Sequence, residues 1–250
     1  MKVIILAAGI GSRLGYLTKS KPKCLVEFNN KSILDYQLEV LQKAKFDKLI
    51  IVGGHFAEQL KRPNVFLKKN ILYKTTNMLY SLSIAKDEFD DDIIISYGDI
   101  VYSEDVLSKL IEEKEDISVI IDKNWKEYWS KRIQNPLDDV ETLKIDKTGY
   151  ITEIGLKPKT YNDIQGQYIG LIKISSEMIS TILRKWDEIL IKNQLNYSKN
   201  IFMTEFLQYC INSGLKLKAL KTSYPWVEID TPSDIEVAER LIKMGKFAGF

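Results

Sequence analysis

Lys2-Val3-Ile4-Ile5-Leu6-Ala7-Ala8-Gly9-Ile10-Gly11-Ser12-Arg13-Leu14 opens the chain, and Lys21-Pro22-Lys23 follows shortly after. Residues 2–7 are a short apolar, β-branched run broken by glycine, which reads as a buried strand. The small residues after it form a loop whose backbone N–H groups point in one direction. Such a nest binds phosphate oxygens, and only small residues let the backbone come close. Arg13 adds a planar fork suited to phosphate; Lys21 and Lys23 add point charges. A triphosphate is a dense anion, and it requires this concentration of donors. Other readings fit less well. A dinucleotide loop needs a third glycine where Leu14 stands. The G-x-x-x-x-G-K-S/T phosphate loop is absent. A purely structural glycine turn leaves the Lys-Pro-Lys unexplained.

Outward from this loop, strands and helices alternate. Ser32-Ile33-Leu34-Asp35 looks like a capping box, with Ile33, Leu34, Leu38 and Leu41 at helical spacing. Residues 48–52 read as a strand stopped by Gly53-Gly54. A short helix, a strand over 65–68 and a helix over 78–86 follow. Ile93–Tyr97 is a continuous apolar strand ended by Gly98-Asp99; residues 104–113 are helical and 117–121 a strand. This alternation through residue 122 predicts a mostly parallel α/β sheet covered on both faces. Beyond it, residues 142–145, 151–154 and 168–174 read as strands, the first two joined by a tight turn at Thr148-Gly149. That pattern predicts a small antiparallel or mixed extension. Residues 176–186 and 200–213 read as helices, 216–220 as a strand, and 232–244 as a helix with proline in its first turn. With no repeat, low-complexity tract or linker, one domain over 1–250 is expected, in halves 1–122 and 123–250. Asp90-Asp91-Asp92 reads as a solvated turn.

Composition narrows the function classes. The chain has 250 residues, 45% hydrophobic and 28% charged, as in ordinary globular proteins. Lys+Arg number 36 and Asp+Glu 34, intermixed, which gives no argument for nucleic acid or acidic membranes. No apolar stretch is long enough for a transmembrane helix, and the N-terminal run is too short for a signal-peptide core. Two cysteines, Cys24 and Cys210, fit a reduced, cytoplasmic protein. The single histidine, His55, leaves little room for a histidine metal site and reads as a surface residue.

Two distant aspartates stand out. Asp99 follows a buried strand and a glycine, so it belongs at a strand's carboxyl end, where ligands bind in open α/β sheets. Asp230 closes an apparent strand over 226–229, ahead of a proline-initiated helix. Magnesium takes one or two carboxylates and fills its shell with water and phosphate oxygens. From the sequence alone, such aspartates are more often turn or cap residues. Aromatic residues form a third group: Trp125, Tyr128, Trp129, Tyr168, Tyr224 and Trp226. An ammonium group against such a ring gains about 0.5–2 kcal/mol, and Trp226 beside Glu228 and Asp230 suits a cationic ligand. Core packing is the plainer reading of these rings. Residues 125–129 lie in a polar stretch outside any clear strand, which favours a lid or a subunit contact.

The compound motif L-A-A-G-x-G-S-R-L with a following K-P-K resembles the signature of nucleotidyltransferases that activate sugar 1-phosphates and alcohol phosphates. Thr75-Thr76-Asn77-Met78-Leu79-Tyr80-Ser81-Leu82, Ser96-Tyr97-Gly98-Asp99, Gly166-Gln167-Tyr168-Ile169-Gly170 and Glu228-Ile229-Asp230 look like the choline-phosphate and phosphonate cytidylyltransferase branch. The resemblance runs through nearly the whole chain. It implies a Rossmann-like mixed sheet of the GT-A type, with residues 1–122 binding nucleotide and 123–250 the acceptor. It implies CMP transfer from CTP to phosphocholine, aminoethylphosphonate or phosphorylated glutamine, for decoration of a cell-surface polysaccharide. Leu6, Ala7, Ala8, Gly9, Gly11, Ser12, Arg13, Lys23, Gly53, Thr76, Asn77, Gly98 and Asp99 would then bind the nucleotide. Lys23, Tyr168, Trp226 and Glu228 would face the acceptor, and Asp99 and Asp230 would hold Mg²⁺ or Mn²⁺. Arg13, Lys23, Asp99 and Asp230 would carry catalysis. No nucleic-acid partner or membrane insertion is expected, and the protein would act as a monomer or homodimer. A sugar-1-phosphate nucleotidyltransferase using dTTP, UTP or GTP, and a non-catalytic nucleotide-binding module, remain as alternatives.

Overall fold

The computed structural model describes residues 1–192, 198–223 and 225–245. Thirteen strands and four helices set up the site: β1 (Lys2–Ala7), β2 (Glu27–Phe28), β3 (Lys31–Ser32), α1 (Ile33–Lys43), β4 (Lys48–Gly53), β5 (Val65–Lys69), α2 (Met78–Ser83), β6 (Ile93–Tyr97), β7 (Ile100–Tyr102), α3 (Glu104–Glu112), β8 (Ile117–Asp122), α4 (Trp125–Arg132), β9 (Leu143–Ile145), β10 (Ile151–Ile154), β11 (Gln167–Ile174), β12 (Lys218–Thr222) and β13 (Trp226–Glu228). Further helices span Ile179–Lys192, Met203–Asn212 and Pro232–Lys243.

The main sheet runs β12-β8-β11-β6-β1-β4-β5. Strand β1 lies between β6 and β4 and is parallel to both, so its carboxyl end opens at the middle of the sheet. Alternation along β1 divides the core. Val3 and Ile5 join the cluster packed with α1 and the helix Pro232–Lys243, while Ile4 and Leu6 join the cluster with α2, Ile179–Lys192 and Met203–Asn212. Helix α1 begins where expected: Ser32 Oγ accepts from the Asp35 amide at 3.1 Å.

The mostly parallel, helix-flanked sheet agrees with the sequence expectation. One strand sits elsewhere than expected. Strand β11 pairs antiparallel with both β6 and β8, inside the main sheet. Leu171, Ile172 and Ile174 are buried in succession, so this strand has apolar neighbours on both faces, as a central strand requires. Of the three strands expected in the extension, only β9 and β10 form a separate antiparallel pair. A second correction concerns residues 125–129. They form α4, with Trp125, Tyr128 and Trp129 at most 5% exposed and with Tyr128 and Trp129 packed on Trp226. These three rings are core, so the lid reading does not hold.

Two three-residue strands decide the site. Strand β13 pairs antiparallel with β7, and the Ile229 amide donates to the Asp99 carbonyl at 2.9 Å. This short ribbon carries the far end of the chain to the tip of β6.

Candidate active site

The loop after β1 is shaped by Gly11, whose φ of +69° lies in the left-handed region. A Cβ there would lie 2.9 Å from Lys23 Cβ, so loop and lysine pack directly together. Gly98 is tighter: its amide donates to the Leu6 carbonyl at 2.9 Å, and a Cβ would come within 2.7 Å of that oxygen. The strand end bearing Asp99 is thereby pressed against the strand end bearing the loop.

A cavity of about 270 Å³ opens at this edge. Leu6, Ala7, Ala8, Gly9, Gly11, Ser12, Arg13, Lys23, Thr76, Asn77, Gly98, Asp99 and Asp230 line it, joined by Cys24, Tyr73, Met78 and Ser81, which the sequence did not suggest. Gly53 does not line it; this glycine packs against Leu60 and Ala57. Lys21 turns away, its ammonium 3.7 Å from Glu27. His55 contacts the Thr18 carbonyl and the Tyr73 ring rather than the cavity. Thr76 and Asn77 reach the wall with their side chains engaged: Thr76 Oγ1 donates to the Leu72 carbonyl, and Asn77 Oδ1 caps α2 at the Met78 amide.

A second cavity of about 220 Å³ adjoins the first and shares Arg13, Met78 and Asp230. Tyr168 and Glu228 line it, with Tyr97, Trp129, Asp139, Glu141, Gln167, Phe202, Met203 and Thr204. Trp226 lines neither; it is 1% exposed and donates its Nε1–H to Asp122 at 3.1 Å. The expectation that it faces a cationic ligand is corrected, because its ring is spent on the core. Tyr224 lies outside the described residues.

Charges meet where the cavities join. Lys23 Nζ lies 2.6 Å from Asp99 Oδ2 and also donates to Asp230 Oδ1. Arg13 Nη2 donates to Asp230 Oδ2 at 2.7 Å. Burial works against the Lys23 charge, but Asp99, Asp230 and Glu228 outweigh it and hold the ammonium protonated. Burial likewise opposes ionisation of Asp230, and Lys23 overcomes it, keeping this carboxyl below its ordinary range. Burial pushes Glu228 and Glu141 upward. Carboxylate oxygens of Asp99, Glu228 and Asp230 lie within 4.8 Å of one another. Asp99 Oδ1 is buried without a hydrogen-bond partner. An orphaned carboxylate oxygen in an all-oxygen cluster suits a hard divalent cation. Sequence reasoning missed Arg132, which pairs with Glu228 at 2.6 Å. Its signal was present: Trp125, Tyr128, Trp129 and Arg132 follow the i, i+3, i+4, i+7 spacing of one helix face.

A glycine-shaped loop carrying Arg13, a buried ammonium and paired carboxylates can hold a polyphosphate against a second ligand, and on this fold that makes the chain a nucleotidyltransferase. Residues 3–149 match the MobA-like NTP transferase domain. The chain is 43% identical to CTP:phosphoglutamine cytidylyltransferase of Campylobacter jejuni, across 95% of this chain and 98% of the relative. It is 36% identical to choline-phosphate cytidylyltransferase of Streptococcus pneumoniae, across 41% of this chain and 46% of that one. The solved CTP:phosphocholine cytidylyltransferase from Streptococcus pneumoniae (LicC) shares the fold, with a TM-score of 0.71 at 21% identity over 96% of this chain and 98% of that chain. The chain belongs to the MobA-like NTP transferase family.

Proposed function

We propose that this protein transfers CMP from CTP to a small phosphorylated or phosphono acceptor of the phosphocholine, aminoethylphosphonate or phosphorylated-glutamine type. An acceptor oxygen forms a bond to the α-phosphorus in line. The bond from that phosphorus to the bridging oxygen breaks, and pyrophosphate leaves with the electron pair. No group on the chain is modified, so catalysis is positioning and charge stabilisation.

The nucleotide occupies the first cavity, with the loop amides and Arg13 on its β- and γ-phosphates. The acceptor occupies the second, beside Tyr168 and Glu228. Lys23, at the junction, holds its proton and draws the acceptor and α-phosphate oxygens together. Asp99 and Asp230 would hold a divalent cation, Mg²⁺ or Mn²⁺, which supplies neutralisation of charge at the α-phosphate when bound. The observation that carries this reading is the Lys23 ammonium set on Asp99 and Asp230 where the two cavities meet. The near-full-length likeness to a CTP-dependent relative supports cytidine as the base. No described helix is long and apolar enough to cross a membrane. The reading places the enzyme in the cytoplasm, serving cell-surface polysaccharide decoration.

The test is pyrophosphate release over CTP, UTP, GTP and dTTP, each with phosphocholine, aminoethylphosphonate, phosphorylated glutamine and a sugar 1-phosphate. Release with CTP and one of the first three acceptors is expected. Release only with the sugar phosphate would sink this reading in favour of a sugar nucleotidyltransferase.

A further inference from the structure

Arg132 is the last residue of α4, and its side chain is 2% exposed. Its Nη1 donates to Glu228 Oε2 at 2.6 Å, and its Nε donates to Asp234 Oδ1 at 2.8 Å. The other oxygen of Asp234 accepts from the Asp230 amide at 2.9 Å and from the Thr231 amide at 2.8 Å. The guanidinium lies over the rings of Tyr128 and Trp129, 5.3 and 5.0 Å from their centroids. Tyr128 adds a further tie, its hydroxyl accepting from the Glu228 amide at 2.9 Å.

The segment 228–231 is therefore held at both ends from α4. Tyr128 and Arg132 grip Glu228, and Arg132 grips the amides of Asp230 and Thr231 through Asp234. Between these anchors the Asp230 carboxylate is free to face the junction, where it meets Lys23 and Arg13. The carboxylates of Asp99, Glu228, Asp230 and Asp234 crowd this region, and without a buried cation behind them they would repel one another apart.

We propose that Arg132 is a positioning residue for nucleotidyl transfer: it touches no reactant and sets the Asp230 carboxylate through Asp234 and Glu228, and by its own Nη2, which lies 4.0 Å from Asp230 Oδ2. The inference rests on the transfer reaction as read above. The planar fork matters to it: Arg132 holds Glu228 through Nη1 and Asp234 through Nε, two donors fixed in one plane, a geometry that the compact, rotatable ammonium of lysine does not reproduce.

The test uses the full chain with Arg132→Lys, Arg132→Met and Asp234→Asn. Folding is followed by circular dichroism and a cooperative melt, and CTP affinity and Mn²⁺ affinity of the CTP-loaded protein by calorimetry. Pyrophosphate release gives kcat. In folded Arg132→Lys, kcat is expected to fall about 100-fold, as for a reacting group misplaced by an ångström. Mn²⁺ affinity should weaken about tenfold, the usual cost of losing an outer-shell partner. CTP affinity should stay within about threefold, since the phosphate loop is untouched. A merely structural pin would lower the melting temperature and leave kcat of the folded protein alone. Folded Arg132→Lys with kcat and Mn²⁺ affinity within about twofold of the parent overturns the proposal. If both Arg132 variants fail to fold, Asp234→Asn decides on the same readouts. The Mn²⁺ titration needs no turnover. Silence of the parent with every acceptor would therefore count against the reaction, and unchanged Mn²⁺ binding in folded variants would count against Arg132.

Discussion

The Ile229 amide donates to the Asp99 carbonyl over 2.9 Å, and this bond joins the two ends of the catalytic apparatus. Asp99 stands beyond β6 and Asp230 beyond β13. Neither three-residue strand of the β7–β13 ribbon would persist alone, but together they place two carboxylates on one ammonium. Because backbone, not side chain, makes the join, the carboxylates can be altered with the geometry preserved.

Asp99→Asn is accordingly expected to fold normally and to lose activity. It removes a charge partner of Lys23 and a carboxylate oxygen without another partner. A preorganised charge at a transferring phosphate is worth about 100- to 1000-fold in rate. Pyrophosphate release should fall by that order while circular dichroism is unchanged. Activity within about tenfold of the parent would remove Asp99 from the reaction.

Gly98→Ala tests the contact that sets the two strand ends together. Its Cβ would sit 2.7 Å from the Leu6 carbonyl and 3.0 Å from Ala7 Cα, both backbone atoms with little room to yield. Overpacking of this kind costs about 1–3 kcal/mol. The variant should melt earlier and should lose rate as well, since Asp99 must move with its neighbour. A normal melting curve combined with normal turnover would show that the strand ends tolerate separation.

Much of this arrangement was legible in the sequence, for local reasons. Strand β1 and its glycine loop are contiguous, and Lys23 follows closely, so the local motif alone suggested a phosphate site. Strand-end position alone left Asp99 and Asp230 as turn or cap residues; the Gly98-Asp99 context and the family resemblance brought them to the site. What escaped depends on contacts remote in sequence. Strand β11 reads as part of an extension because nothing local says it inserts between β6 and β8. Helix α4 was hidden by its lysines and glutamate, although its buried face keeps helical spacing. That one omission changed two readings: Trp226 passes from ligand contact to core, and Arg132 enters the account.

Trp226→Phe separates those two roles for the tryptophan. Phenylalanine keeps an aromatic ring among Tyr128 and Trp129 but removes the Nε1–H bond to Asp122. Asp122 is fully buried, and losing a donor to such a group costs about 1–3 kcal/mol. The melting temperature should drop, with the acceptor KM unchanged in the same preparation. A raised KM with unchanged stability would return Trp226 to the acceptor site.

Glu88 sets an acid limit on stability, far from the reaction. It is 7% exposed and lies within hydrogen-bond reach of Lys2 and Lys48 at the amino-terminal ends of β1 and β4. Burial opposes its charge, but the hydrogen bonds from Lys48 and Lys2 prevail and hold its pKa at about 2. The unfolded chain has the ordinary glutamate value of about 4.3. A folded pKa below the unfolded one means that the unfolded state binds more protons between the two values, so stability rises with pH there. The contribution is complete above about pH 4.3. It drains away as the pH falls through the folded value of about 2. Glu88→Gln should therefore melt earlier than the parent at neutral pH, and the gap should close as the pH is lowered from 5 toward 2.5, about the window those values define. Melting curves at a series of pH values read this directly, and a gap that stays constant to the acid end would mean that Glu88 is not held ionised by its lysines.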